Sequence, residues 1–266
     1  NENNGVSFGA SSFANQVNSI ALGAAANSAA LNAIAMGAGS KSVNNYGISI
    51  GATSLASQVN GIAIGANADT AQVNGIAIGS NTVSSSVNSI VVGANANSTS
   101  TNAIAIGQAS NANSTNSIAL GHGTLANQSN SIALGAAANA ANVSSIAIGA
   151  GALADFDNSV AIGVGADTTA VDQIRLGRTT NPPVVSIPGN LIVDGNFDVE
   201  GTTTLKNTSS LTVGDINLMI GTVSEQISSV RCSDAANNEY TIITPNDLTS
   251  TLMGKHGNNY NYRIIF

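Results

Sequence analysis

The chain has 266 residues, of which 8% are charged, and a formal net charge of −7; ordinary globular domains carry roughly 25% charged residues. Residues 1–150 hold only Glu2, Lys41 and Asp69 as charged side chains, so they offer no clustered cations for a nucleic-acid backbone or an anionic membrane surface. No apolar run approaches the ~20 residues of a membrane helix, and Cys232, the only cysteine, has no internal disulfide partner.

From the N-terminus, glycine recurs every fourteen residues: Gly9, Gly23, Gly37, Gly51, Gly65, Gly79, Gly93, Gly107, Gly121, Gly135, Gly149, Gly163 and Gly177. A fixed short period of this kind marks a one-dimensional stack, each repeat being one rung. Three residues before the glycine stands Ile (Ile20, Ile62, Ile104, Ile146), and one before it another large apolar residue (Leu22, Ile64, Leu120). A small residue, mostly Ala, separates them. That period of two predicts a strand. After the glycine the first, third and fifth positions are mostly small, as in Ala66, Ala68 and Thr70, which predicts a second strand with a face of low volume. Fourteen residues fit two strands of about four or five and two tight turns.

Asn recurs five residues before the glycine (Asn18, Asn60, Asn102), interrupted by Tyr46, Ser144 and Asp172. Asn tolerates left-handed turns, and stacked Asn side chains bond one another along a column. The recurrent glycine (Gly23, Gly65, Gly107, Gly149) supplies a turn conformation closed to other residues. At ~4.8 Å per strand the rungs make a roll roughly 60 Å long.

The large Ile and Leu side chains are expected inside this roll, with the intervening Ala on an outer flank. A flat uncharged flank implies contact with further copies, a closed homo-oligomer. Ile104→Asp is then expected to break the core, and Ala105→Arg to weaken the oligomer more than the fold.

The motif Asn-Ser-Ile-Ala-Leu-Gly at Asn18 to Gly23, Asn116 to Gly121 and Asn130 to Gly135 resembles the head repeat of YadA-like trimeric autotransporter adhesins over residues 4–177. The resemblance implies a left-handed parallel β-roll, three chains side by side, serving as an adhesive head. The expected class is therefore all-β, a trimeric β-solenoid spanning 1–178.

Pro182, Pro183 and Pro188 end the repeat within a transition at 179–190. Val193, Val199, Leu205 and Leu211 then recur every six residues. This stretch resembles the fibre stalks of bacteriophages and large DNA viruses and implies a trimeric β-stalk at 191–222. Residues 223–266 read as a small α+β segment, a tip or attachment element. It has a strand at Tyr240 to Ile243, a helix from Thr244 to about Met253 ended by Gly254, and a terminal strand from Tyr260 to Phe266. Tyr240, Tyr260, Tyr262 and Phe266 are candidate interface or binding residues.

No residue set supports catalysis, and no cofactor or metal is expected. His122 and His256 are the only histidines, and no His/Cys spacing suits zinc. Asp155, Asp157, Asp167 and Asp172 cluster near the end of the roll without calcium-loop spacing and read as a solvated capping face. The leading expectation is a structural fibre protein of a virus or phage, on the virion surface. Its partners would be its own trimer, other virion proteins and a host-surface receptor or glycan, without nucleic acid or membrane insertion. The alternative is the head of a trimeric adhesin on a bacterial cell surface.

Overall fold

Each fourteen-residue rung up to that of Gly149 forms two short strands, the last two rungs form one, and equivalent strands of successive rungs stack in parallel. The computed structural model describes residues 4–180 and 182–199 and the strands Val230–Ser233, Glu239–Ile242, Leu252–His256 and Tyr260–Ile264. It divides into two units, residues 1–191 and 192–266.

In the first unit, three-residue strands from Val6–Phe8 to Ile174–Leu176 build a 13-stranded sheet, and two-residue strands from Phe13–Ala14 to Leu153–Ala154 build an 11-stranded one. The strands are shorter than the sequence predicts, because the residue after each glycine lies in the turn. The register equals the repeat: Ile104 pairs with Ile118, Ala105 with Ala119 and Ile106 with Leu120. The Ile104 N–H donates to the Ser117 carbonyl at 2.9 Å, and the Gly107 N–H to the Val92 carbonyl at 2.7 Å.

The sidedness of the strands is the reverse of the sequence expectation. In the rung of Gly107, Ala103, Ala105, Ser110 and Ala112 are fully buried, whereas Ile104 and Ile106 are only half-buried on the outer face. Small residues of both strands form the core, and the large apolar ones point away from it. The physical reason is width. Two sheets joined by such tight turns approach more closely than the ~10 Å of ordinary packed sheets, leaving room for small side chains, of which Val91 is the largest. The interior is full even so. Where the position four before the repeat glycine shrinks to Gly61 or Gly75, the facing residue is Thr70 or Ser84. A Cβ on Gly61 would stand 2.7 Å from Thr70 Oγ1, and one on Gly75 would stand 2.9 Å from Ser84 Oγ.

Most buried serines fit this core because their hydroxyls bond locally, which offsets the cost of burying a polar group; Ser42 and Ser98 are buried without a partner. Ser19, Ser117 and Ser159 donate to the carbonyls of Gln16, Ser114 and Phe156 at 2.8, 2.6 and 2.7 Å. Ser49 and Ser54 bond each other across the core at 2.7 Å.

The repeat glycine has two roles, of which the sequence pattern reveals one. Gly135 has φ +124°, and a Cβ there would lie 2.7 and 2.8 Å from the carbonyl carbon and oxygen of Gly149 in the next rung. The second constraint is thus the close stacking of backbone on backbone. Gly135→Ala adds a clash to backbone strain, so a loss of about 3 kcal/mol is expected, read as a lower denaturant midpoint. Gly123 is the control: it has φ +62°, and a Cβ added there would meet nothing within 4 Å. Ala25, Ala109 and Ala137 already occupy that left-handed turn, and Gly123→Ala should cost about 1 kcal/mol.

The last strand of the roll is Ile174–Leu176. Pro183 packs over Gly177, and Arg175 takes the position that Ala161 holds one rung earlier. Among residues 191–199 there is no strand; residues 200–222 of the expected stalk lie outside the described residues.

In the second unit, Val230–Ser233 pairs antiparallel with Glu239–Ile242, and Leu252–His256 with Tyr260–Ile264. The two strands expected at Tyr240 and Tyr260 are present. Met253 and Gly254 lie inside a strand, so the expected helix does not reach them; residues 244–251 lie outside the described residues.

Candidate interaction surface

The first unit presents two outward faces and two edges. The face of the 13-stranded sheet carries two columns of aliphatic side chains. Ile20, Ile62, Ile104 and Ile146 belong to one, on the outside rather than in the core. The other includes Ile78, Leu120, Leu134 and Ile162, which are 36–40% exposed. No charged side chain interrupts these columns between Val6 and Ile162. The strip runs the length of the roll, and a contiguous apolar surface of this kind marks an interaction site.

The opposite face belongs to the 11-stranded sheet and is chemically mixed. Its outward column runs Phe13, Asn27, Lys41, Leu55, Asp69, Val83, Asn97, Asn111, Leu125, Asn139 and Leu153. Asp69 is held between Leu55 and Val83 in this register, its Oδ1 is buried without a hydrogen-bond partner, and desolvation raises its pKa above 3.8. A carboxyl whose pKa is raised on folding favours the folded state when protonated and opposes it when ionised. Stability contributed by Asp69 is therefore present at acid pH and lost as pH rises through the folded pKa. Asp69→Asn should raise the melting temperature at pH 7 and lose that advantage below pH ~4; an unchanged difference across that range would contradict the desolvation argument.

One edge is an amide ladder. Asn18 Nδ2 donates to Asn32 Oδ1 at 3.1 Å, Asn60 to Asn74 at 3.0 Å and Asn102 to Asn116 at 3.2 Å. All three donors sit in left-handed turns at φ 56–59°. The ladder ends where Asn158 donates to Asp172 Oδ1 at 2.9 Å, an acceptor-only terminus. The other edge holds a second left-handed column that the sequence pattern did not bring out: Asn67, Asn81 and Asn95, with Gly39, Gly123, Gly151 and Gly165 in equivalent places. Asn67 donates to Asn81 at 3.0 Å. The signal was the enrichment of Gly and Asn two residues after the repeat glycine.

The acidic residues near the end of the roll do not converge. Asp157 Oδ1 accepts from the Val143 N–H at 3.1 Å, Asp172 caps the ladder, and Asp167 is exposed. Among the described residues no three His, Cys, Asp or Glu side chains are placed to share a metal ion. His122 is exposed. Tyr240 pairs with Cys232, Tyr260 with His256 and Tyr262 with Gly254; Phe266 lies outside the described residues.

Comparison with known proteins adds a family to this geometry. The model of the YadA head domain repeat (2 copies) matches residues 2–26, 14–40, 43–68, 72–96, 98–124, 114–138, 126–152 and 140–166. Among solved structures, the collagen-binding domain of the Yersinia adhesin YadA is similar at 22% identity and a TM-score of 0.39, covering 51% of this chain and 76% of that one. No curated protein matches the sequence. With the family model covering more than half of its length, and with a fourteen-residue register running through both sheets, the chain belongs to the YadA head repeat family.

Proposed function

We propose that the roll is the adhesive head of a trimeric surface fibre, which holds a lateral binding surface away from its carrier. One observation carries this reading: an uninterrupted aliphatic strip on the outer face of the 13-stranded sheet, self-similar from rung to rung. Such a strip is costly in water, and a closed ring of three copies covers it with no exposed apolar remainder. The contact is thus lined by Ile and Leu, not by Ala. The amide-lined edges and the mixed face of the 11-stranded sheet stay wet and meet the receptor by many weak contacts, so that three chains act through avidity.

The carrier is a virion in the first reading, supported by the stalk-like Gly189 to Leu205 stretch. A bacterial cell surface is the second, favoured by the family match. The receptor is a host-surface protein or glycan. Light scattering and negative-stain images of the purified chain test the assembly, and a trimeric mass with a roll of ~60 Å is expected. A monomer at micromolar concentration would refute it. Binding to immobilised collagen and to a glycan array, with no turnover of the glycans, tests adhesion.

A further inference from the structure

Lys41, Leu55 and Asp69 follow one another in the outward column of the 11-stranded sheet, paired as Lys41 with Leu55 and Leu55 with Asp69. Lys41 is exposed, and Leu55 and Asp69 are half-buried. No other residue between 4 and 150 is charged. The cation and the anion therefore sit on the same face, each one rung, about 5 Å, from Leu55. Asp69 keeps a buried Oδ1 without a donor.

We propose that this face pairs with the same face of a second copy running in the opposite direction, about a twofold axis at Leu55 that lies along the strands. The axis reverses the order of the rungs and keeps the column facing itself. Lys41 then meets Asp69 of the second copy, Asp69 meets its Lys41, and Leu55 packs on Leu55 between two ion pairs. Val43, two residues along the chain from Lys41 and 48% exposed, meets Ala71 in the same way. The parallel arrangement of the same two faces would set Lys41 on Lys41 and Asp69 on Asp69, and like charges in direct opposition are excluded energetically. Two charges thus select both the partner and its direction, as an isologous interface requires. The inference rests on the trimeric reading in one respect: the isoleucine face is used within the trimer, which leaves this one outermost.

The contact spans about seven rungs, from Phe13 to Asn97, and covers only a few hundred Å² on each copy, well below a standard interface. A single pairing is weak and salt-sensitive; arrays of fibres meeting tip against tip gain from its repetition.

Sedimentation velocity at low ionic strength, on trimers assembled separately, tests the idea. Wild-type trimers are expected to double reversibly, and added salt to reverse the doubling. Lys41→Asp sets acid against acid and Asp69→Lys sets base against base, so each variant alone should lose at least tenfold in self-association. Mixed together, the two variants are complementary at both contacts and should associate about as well as wild type. The double variant K41D/D69K should recover self-association. No doubling of wild type, unchanged self-association in either single variant, or a mixture that fails to associate would each overturn the pairing. The mass of the undoubled species judges the trimer separately, so a monomeric base mass refutes that reading and leaves the mixing result to judge this one.

Discussion

Ala105→Arg is expected to unfold the roll around its rung, and the oligomer should fail only as a consequence. Ala105 is fully buried, in register with Val91 below and Ala119 above. The space opposite belongs to residues such as Ser110 and Ala112, themselves fully buried. An arginine there overfills a core built for methyl groups and buries a cation with no anion near it, since no acidic residue lies between Asp69 and Asp155. Overpacking costs about 1–3 kcal/mol, and an unpaired buried charge several more. In a stack, each rung is supported by its two neighbours, so the loss spreads to both sides of the substitution. Circular dichroism should show a melting transition lowered by well over ten degrees, with new proteolytic cleavage near residue 105. An unchanged transition in a dissociated chain would restore the opposite arrangement, with Ala on the oligomer face.

The period, the strands and the turns were legible in the residues, because each is a local requirement. A glycine at φ +124° and an Asn at φ 56° leave their marks at fixed spacing whatever surrounds them. The sidedness of Ile104 and Ala105 was not legible by the same means. Alternation separates two faces without saying which is inward, and the usual preference for burying large apolar groups points the wrong way in a coil this thin. The deciding information lay in the partner strand. Ser110 and Ala112 are small as well, so two small faces oppose each other and no cavity is left for Ile104. The polar Ser117 looks unsuited to a core, yet its hydroxyl is satisfied three residues away. The family resemblance carried by Asn116 to Gly121 agrees with the family match. Met253 and Gly254 show instead how a local stop signal yields to strand pairing: Gly254 reads as the end of a helix, and the pairing of Met253 with Arg263 across a hairpin is a choice that the signal does not contain.

Ile104→Asp should do the reverse of Ala105→Arg: dissociate the assembly and leave the single roll folded. Ile104 lies on the outer face between Ile90 and Ile118, half-exposed in one chain. There a carboxylate keeps contact with water, and the cost to the chain is that of a poor strand former, about 1 kcal/mol. In a closed trimer the same position is covered by apolar side chains of the other copies. Three carboxylates then lose water together without a cation, since Lys41 is on the opposite face, and each loses several kcal/mol. Light scattering should give a monomeric mass at concentrations where wild type is trimeric, with a far-ultraviolet spectrum that is unchanged. Lowering the pH below the carboxyl's range neutralises the introduced charge, and the trimer should partly re-form. Ile104→Asn, of similar size and never charged, should weaken the trimer less and show no such recovery. Loss of fold and assembly at the same denaturant concentration in Ile104→Asp would mean that the isoleucine strip is not where the copies meet.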